Sequence, residues 1–436
     1  MRRFFFTPAL LIALLILPAY LRGSDLAPAQ PVIPARQFSL KDFGAVADGK
    51  TSNTDAFRRA VAAVDAAGGG TLLVPAGSYL TGPFDLCSCI DLRISAGAVI
   101  SFSPAFADYA VSAEKYRPLL LAKHVHDVKI SGSGTIYGHG EAWWPEALRF
   151  KAAARARHET HDTSPRPRMV FFDHCQRVCV EGVTLTHAPV FNLVPSSCED
   201  VTIDRVTILN PADSPNTDGI DPSVSNRVLI ENCTIDTGDD CIAVKAGVQP
   251  DGPMHDLLIT DCTFLHGHGC SVGSETSGGL RNMIVRRCTF DGTETGVRFK
   301  SDRHRGGLVE NIVYADLTMK HVGQAITISS YYMGATADVA GGRDTPQPVT
   351  RTTPQWRNIV IRNLTAVDCL KGAGTIFGLP EMPATGILLD HVTIEAPKGL
   401  RLENVANSTL RAVTIRTGTG PSILTDSTDQ GIEFHQ

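Results

Sequence analysis

Apolar residues recur through the middle of the chain at four fixed offsets, 0, +2, +5 and +7, with polar residues between the two pairs. The first regular copy begins at Val178, and seven more begin at Val201, Val228, Leu257, Met283, Ile312, Ile359 and Ile387. Successive copies begin 23, 27, 29, 26, 29, 47 and 28 residues apart. Two apolar pairs separated by a polar break predict two short strands joined by a bend, because a helix would show a period near 3.6.

Repetition of this unit once per coil predicts an all-β fold, a single-domain right-handed parallel β-helix. In such a solenoid each coil buries its apolar face against its neighbours. The step of 47 residues implies an insertion of about 20 residues, which 333–354 supply as a surface loop. A second stretch without the repeat, 143–168, precedes the first regular copy. We expect both stretches to border a binding face.

The N-terminal part is expected to close one end of the solenoid. Asn53 or Thr54 can cap a helix with an apolar face of Phe57, Val61 and Val64, and the glycines at 68–70 end it. Such an N-terminal capping helix covers the edge that the first coil would otherwise expose. The run "TLLVPAGSYLTGP" then begins the first coil.

The start of the chain has the pattern of a targeting signal. Arg2 and Arg3 precede an apolar stretch, 4–21, that is shorter and more interrupted than a membrane-spanning helix. We therefore predict a signal peptide at 1–23, a Pro- and Ala-rich linker at 24–37 and the β-helix domain at 38–436. The protein is expected to be secreted or periplasmic. The cleavage site lacks a clean A-x-A pattern, which leaves an uncleaved membrane anchor as the alternative.

Composition narrows the classes of partner. Charged residues make up 19% of the chain, hydrophobic residues 43%, and the formal net charge is -5, so neither disorder nor general affinity for nucleic acid is indicated. Eleven cysteines in an exported chain suggest disulfides, and the odd count leaves at least one thiol free or paired between chains. Cys233, Cys262 and Cys288, however, all occupy offset +5 and are predicted to stack in the core. Cys87 and Cys89, or Cys175 and Cys179, could in principle bind a metal, but no C-x-x-C pair or histidine partner appears at zinc spacing, so we expect no metal.

Acidic residues precede two of the strands that follow offset +7, in "NTDGID" and "GDDCIAVK". Equivalent positions on successive coils lie about 4.8 Å apart. Asp218 and Asp240 should therefore be neighbours, with Asp239 one residue off their row, and His268 of "HGHG" should lie on the next coil. Arg298 and Lys300 of "GVRFK" come one coil later and, being two apart on a strand, point the same way.

A single Asp before a strand is usually a turn residue, and a single Arg or Lys is usually a solvated surface group. Six such groups converging from four adjacent coils are better explained by function. Hydrolysis of a glycosidic bond needs one protonated carboxyl for the leaving oxygen and one ionised carboxyl for water. The two cations can hold a substrate carboxylate. The pattern thus predicts chemistry on an anionic sugar.

The motifs "NTDGID", "GDDCIAVK", "GHG" and "GVRFK", in this order on a β-helix repeat, resemble the polygalacturonases of glycoside hydrolase family 28. The resemblance extends from residue 38 to about the C-terminus. It implies inverting hydrolysis of α-1,4-galacturonosyl linkages in pectin. The run "GSETSGGLRN" resembles bacterial members that trim chain ends, and the two long insertions could wall off the groove, so we expect action from chain ends.

The same resemblance assigns roles to individual residues. It implies Asp239 as the general acid, with Asp218 and Asp240 positioning and activating the water, and with His268 supporting the acid. The remaining contacts would be to substrate: Asn216, Arg298, Lys300 and Tyr331. The usual R-I-K of the family appears here as R-F-K, whose middle side chain should point into the core.

Alternatives remain within and outside this family. A rhamnogalacturonan or xylogalacturonan hydrolase would share most of the motifs. A pectate lyase shares the fold but eliminates and generally needs calcium, for which the paired acids could be ligands. A non-catalytic β-helix that binds polysaccharide would have no need for the acids. We expect a monomer without an organic cofactor, a nucleic-acid partner or, after signal removal, a membrane contact.

Overall fold

The computed structural model describes residues 26–112, 115–157, 164–247, 252–332 and 344–436. The predicted signal peptide lies outside the described residues. The helices are α1 (Thr54–Ala66) and α2 (Trp144–Ala156), with 3-10 turns at Leu40–Phe43, Phe106–Asp108 and Gly140–Ala142. Neither α1 nor α2 has the length and hydropathy needed to cross a bilayer.

Short strands make up most of the rest of the described chain. The first eighteen are β1 (Gln37–Ser39), β2 (Asp48–Ser52), β3 (Gly70–Val74), β4 (Gly77–Thr81), β5 (Phe84–Leu86), β6 (Ile90–Ile94), β7 (Ala98–Phe102), β8 (Ala110–Ser112), β9 (Lys115–Tyr116), β10 (Leu120–Lys123), β11 (His126–Gly132), β12 (Thr135–Tyr137), β13 (Val170–Asp173), β14 (Gln176–Glu181), β15 (Thr184–Thr186), β16 (Leu193–Ser196), β17 (Glu199–Asp204) and β18 (Thr207–Leu209). The others are β19 (Asn226–Glu231), β20 (Thr234–Asp236), β21 (Ile242–Val244), β22 (Met254–Thr260), β23 (Thr263–Phe264), β24 (Cys270–Gly273), β25 (Leu280–Arg286), β26 (Thr289–Asp291), β27 (Thr295–Lys300), β28 (Leu308–Lys320), β29 (Gln324–Ser329), β30 (Gln355–Val367), β31 (Gly372–Phe377), β32 (Ala384–Ala396), β33 (Leu400–Glu403), β34 (Val405–Thr417), β35 (Ile423–Leu424) and β36 (Gln430–His435).

The strands stack in parallel into the predicted right-handed β-helix. The two strands of each repeat copy belong to one 23-stranded sheet, and a third strand per coil forms sheets of four (β5, β10, β13, β16) and seven strands (β21, β24, β27, β29, β31, β33, β35). The predicted copies align position for position, from Val178 opposite Val201 to Ile359 opposite Ile387. The fold class predicted from the repeat is therefore confirmed.

The polar break in each copy has a specific backbone conformation. The residue at offset +4 adopts a left-handed conformation in all eight copies: Gly182, Arg205, Asn232, Asp261, Arg287, Asp316, Asn363 and His391. This conformation turns the chain between two extended segments, so that the apolar residues before and after the bend both face inward. Asn, Asp and Gly tolerate it most readily, which explains the polar character of the break.

A single continuous core fills the solenoid, and the three cysteines at offset +5 are buried in it, as predicted. All eleven cysteines are free thiols in this structure. Helix α1 covers the first coils, and the ring of Phe57 stacks on Phe84 with centroids 4.5 Å apart. The predicted helix cap is wrong in detail. Asn53 is at the N-cap position, but its side chain bonds to Val46 and Leu80 instead of capping α1, which ties a loop to the first coil.

The stretch predicted as a linker runs along the outer side of the solenoid from residue 26. The N–H of Val32 donates to Asp127 Oδ1 at 2.8 Å, and the N–H of Ala29 donates to Asp200 Oδ1 at 2.9 Å. Leu26 packs against a small outward-facing apolar cluster formed by Leu258, Ile284, Val313, Ala315 and Val360. This segment is therefore bound to the coils it passes, while the domain boundary at residue 38 stays a prediction.

Candidate active site

The predicted acidic residues lie where the second strand of a coil turns into the third. Ile220 pairs with Ile242, and Ile242 pairs with Cys270. This register brings Asp218, Asp240 and His268 into line on three successive coils. Ser271 and Gly273 pair with Arg298 and Lys300 on the next coil, so the six groups predicted to converge do share one face.

Asp239 is held from three sides. His268 Nδ1 lies 3.1 Å from its Oδ1, the N–H of Asp240 donates to the same oxygen at 2.9 Å, and Asn216 Nδ2 donates to Oδ2 at 3.4 Å. Burial alone would raise the pKa of this carboxyl, but the hydrogen bond with His268 and nearby positive charge lower it. These contacts favour the ionised form of Asp239.

The glycines on either side of His268 allow this close approach. Gly267 has φ +95°, and a Cβ on it would lie 2.3 Å from the carbonyl oxygen of Asp239. Gly269 has φ +82°, and a Cβ there would lie 1.9 Å from the carbonyl oxygen of Thr295. Both the space and the backbone angle exclude other residues, because L side chains rarely adopt this region and no real Cβ tolerates such distances. The G-H-G triplet is thus a requirement of packing against the coils on both sides.

Asp240 is fully buried and has all its hydrogen bonds satisfied. Its Oδ1 accepts from Ser271 Oγ at 2.8 Å and from Arg298 Nη1 at 2.8 Å, while its Oδ2 accepts from Lys300 Nζ at 2.6 Å. Burial opposes ionisation, but Lys300 and Arg298 outweigh it and hold the pKa of Asp240 well below its usual range. Asp240 therefore anchors the two cations. Phe299 between them is buried in the core, as predicted.

The two remaining predicted contacts are placed differently. Asn216 lies beside Asp239, and its Oδ1 accepts from Arg166 Nη2 at 2.8 Å. Tyr331 donates its hydroxyl to Asp344 Oδ2 at 3.1 Å, in a network with Arg303, and within the described part of the chain it makes no hydrogen bond to Arg298 or Lys300. The next residue, Tyr332, places its ring 5.2 Å from Lys300 Nζ.

Three further residues complete the site, although sequence reasoning did not select them. Lys245 Nζ lies 3.6 Å from Asp218 Oδ2 and 3.7 Å from Asp221 Oδ2. Glu294 Oε2 lies 3.2 Å from His268 Nε2. Asp221 and Lys245 belong to quoted motifs, and Lys245 falls in the row of Lys300, two coils earlier, which is a signal that could have found it. Nothing in the spacing marks Glu294.

These groups are poorly suited to bind a metal ion. Asp239, Asp240 and His268 bring ligand atoms within 4.8 Å of one another, but Asp240 is already bonded to two cations, which would repel a third. Away from the site, Cys89, His126 and Asp127 come equally close. There Arg177 holds Asp127 through both carboxylate oxygens.

Known proteins are similar to this chain both in sequence and in fold. Residues 67–414 match the family described as glycosyl hydrolases family 28. The Vitis vinifera protein named "Probable polygalacturonase" is 32% identical over 425 residues, 92% of this chain and 82% of that protein. An "Exopolygalacturonase" of Zea mays is 27% identical over 371 residues, 83% of this chain and 84% of that protein.

Solved structures extend the comparison to the whole fold. The crystal structure of a hyperthermoactive exopolygalacturonase from Thermotoga maritima is 28% identical, has a TM-score of 0.74 and covers 94% of this chain and 97% of its own. These relatives confirm the resemblance inferred from the four ordered motifs. The chain therefore belongs to glycosyl hydrolase family 28 and is a glycosidase of the polygalacturonase type.

Proposed function

We propose that the protein hydrolyses the α-1,4-galacturonosyl linkages of pectin with inversion and acts from chain ends. The observation that carries the substrate class is the cationic pair of Arg298 and Lys300, which Asp240 fixes within reach of Asp239. A neutral sugar would not need two buried cations at the reacting position. A galacturonate carboxylate would accept bonds from both of them.

Asp239 is proposed as the general acid that protonates the leaving oxygen. Its pKa is lowered in the free protein, so it must gain its proton as substrate binds. A bound galacturonate brings negative charge and excludes water, and both effects raise the pKa of a neighbouring carboxyl. His268, in contact with Asp239 on one side and Glu294 on the other, supports this change of charge.

Asp218 is proposed as the base. It accepts a proton from the water that bonds to the anomeric carbon, while the bond to the leaving oxygen breaks on the opposite face. Oδ1 of Asp218 has no hydrogen-bond partner among the described residues, whereas both oxygens of Asp240 are occupied by strong donors. The resemblance gives these two acids one shared role. The hydrogen bonds favour Asp218 for the proton and Asp240 for anchoring the cations.

Action from chain ends is supported by the insertion at 143–168. Arg166 bonds to Asn216 Oδ1 at 2.8 Å and to the carbonyl of Pro215 at 2.7 Å, so the end of this insertion reaches the partner of the general acid. A wall at this point would stop a polymer from passing through the groove. The Zea mays and Thermotoga maritima relatives are named as exo-acting enzymes.

We also propose that the chain is exported by its N-terminal segment and acts as a monomer. The apolar stretch at 4–21 behind two arginines is typical of a signal peptide, and a polymeric substrate must be met outside the cytoplasm. Mass spectrometry of the protein recovered from cell fractions would locate the N-terminus and the compartment. Light scattering would give the mass in solution.

The decisive experiment is a time course on polygalacturonic acid that follows reducing ends, viscosity and ultraviolet absorbance together. We expect reducing ends to accumulate while viscosity falls only slowly, and we expect no unsaturated product. Rapid loss of viscosity would contradict action from chain ends, and rising absorbance would show elimination instead of hydrolysis. Reducing ends from rhamnogalacturonan or xylogalacturonan alone would transfer the substrate to a decorated pectin.

A further inference from the structure

Two charged residues of the recognised motifs have no part in the mechanism above. Asp221 is 1% exposed, directly beneath the groove, and Lys245 reaches it from the next coil. The same ammonium lies equally close to Asp218, the proposed base. Two carboxyls thus face one cation.

The hydrogen bonds around these carboxyls are incomplete. Among the described residues, Asp218 Oδ1 and both oxygens of Asp221 have no hydrogen-bond partner. Lys245 Nζ lies 3.6 Å from Asp218 Oδ2 and 3.7 Å from Asp221 Oδ2, beyond hydrogen-bond distance of either. A buried carboxylate without donors is costly, and two of them against one ammonium are costlier still. The arrangement is stable if the pair retains one proton.

Other charges of both signs lie near these three groups. Asp239 and Asp240 add negative charge, Lys300 adds positive charge, and Glu275 and Arg168 face Lys245 and Asp221 respectively. Burial raises the pKa of Asp221 to about 7, and burial together with the charge of Asp221 raises the pKa of Asp218. Burial opposes the charge of Lys245, but the two carboxyls outweigh it and raise the pKa of the ammonium.

We propose that Asp218 and Asp221 share one proton against Lys245, and that Asp221 holds it in the form that activates water. This inference rests on the proposed role of Asp218 as base. With the proton on Asp221, Lys245 is left to pair with the ionised Asp218, which can then accept a proton from water. Asp221 and Lys245 are positioning residues, because they act through Asp218 and not on the sugar.

An infrared difference spectrum of the wild type and Asp221→Asn, recorded at about pH 6 without substrate, tests the shared proton. We expect a carboxylic acid C=O stretching band in the wild type that the variant lacks. A difference spectrum without that band would overturn the proposal, because it would show that replacing Asp221 removes no carboxylic proton.

The pH profile of kcat/KM then locates the proton. Asn imitates a protonated Asp221, so the acidic limb of Asp221→Asn should stay within about half a pH unit of the wild type. A downward shift of about one unit or more would overturn the assignment, because it would show that Asp218 had carried the proton.

The lysine gives an independent test that does not depend on folding of the Asp221 variant. Lys245→Met should move the acidic limb upward by about one unit or more, since Asp218 loses its counter-ion, and Lys245→Arg should restore most of the shift. An unmoved limb in Lys245→Met would overturn the proposal. A wild type inactive on every pectin would disprove the proposed function, while the infrared band would still report on the proton.

Discussion

Two sets of ion pairs on this solenoid join aspartates to cations of later coils and reach opposite results. On the outer side, four carboxylates are each held through both oxygens by one arginine of the next coil: Asp127 by Arg177, Asp200 by Arg227, Asp261 by Arg287 and Asp390 by Arg411. In the groove, Asp218, Asp221, Asp239 and Asp240 face the three cations Lys245, Arg298 and Lys300.

The two sets differ in how many acids face each cation and in how deeply the charged groups are buried. The outer pairs match one to one, and their arginines are 32% to 51% exposed, so water screens them. The groove cluster is buried, and within it the carboxyls of Asp218 and Asp221 face the one ammonium of Lys245. Where each carboxylate has its own arginine, the pairs only stabilise the coils. Where two carboxyls face one ammonium, the cluster keeps a proton and has carboxyl oxygens without donors, and acid–base catalysis needs both.

The largest expected effect separates the two sets by activity. Asp239→Asn should lower kcat on polygalacturonic acid by about 1,000-fold or more, because the leaving oxygen loses its proton donor. Asp261→Asn, the same change in an outer pair, should leave kcat unaltered. Steady-state kinetics and circular dichroism of both variants check this. A loss of kcat below tenfold in Asp239→Asn would show that Asp239 is not the general acid.

The next largest effect distinguishes the groove cluster from the outer ion pairs by their contribution to the free energy of unfolding. Lys300→Met leaves the buried Asp240 short of a partner and should lower the free energy of unfolding by about 3–5 kcal/mol. Arg411→Met on the outer side should cost under about 1 kcal/mol. Urea titrations give both values. Adding Asp240→Asn should recover stability in the Lys300 variant without recovering activity, and equal losses in the two single variants would contradict the comparison.

A smaller effect is expected at histidines that contact carboxylates in both places. His268→Gln should lower kcat on the order of 100-fold, because Asp239 loses the imidazole that contacts it while it gains and donates its proton. His391 contacts Asp390 on the outer surface at 2.7 Å, and His391→Gln is the matched control. Similar kcat values in the two variants would show that His268 has no part in the chemistry.

The smallest effect concerns salt. The stability difference between wild type and Arg411→Met should shrink at about 1 M NaCl, where the Debye length falls to about 3 Å, whereas the loss in Lys300→Met should persist. Repeating the urea titrations at low and high salt measures both. Persistence of the Arg411 difference would mean that packing of its side chain, and not its charge, stabilises the coil.

Most of the fold follows from which positions face inward, because that is what the apolar repeat reports. It placed Val178 opposite Val201 and Ile359 opposite Ile387 without error. It also placed Asp218, Asp240 and His268, since turn residues inherit the register of adjacent strands. The pattern found no copies before Val178, although Val128 and Ile130 pair with Val178 and Val180. That coil has one more residue between its strands, so Ile136, which pairs with Leu185, lies at offset +8 instead of +7.

What the sequence could not supply depends on side chains that reach across coils. The contact of Lys245 with Asp221, the position of the Tyr332 ring beside Lys300 and the real partners of Asn53 are all set by long-range packing. Local propensity predicts Asn53 as a cap, but the N–H of Val46 donates to its Oδ1, the atom that would accept from the first turn of the helix. Tertiary contacts decided each of these cases.

The left-handed residue at offset +4 has a consequence for how such a protein can change. It fixes the corner of every coil locally, so the distance between copies can vary from 23 to 47 residues while the paired register stays the same. Length is therefore added at the rim of the groove without displacing the acids on its floor. Evolution or an engineer can exchange these rim loops as separate parts, altering which polymers enter while the bond-breaking chemistry remains fixed.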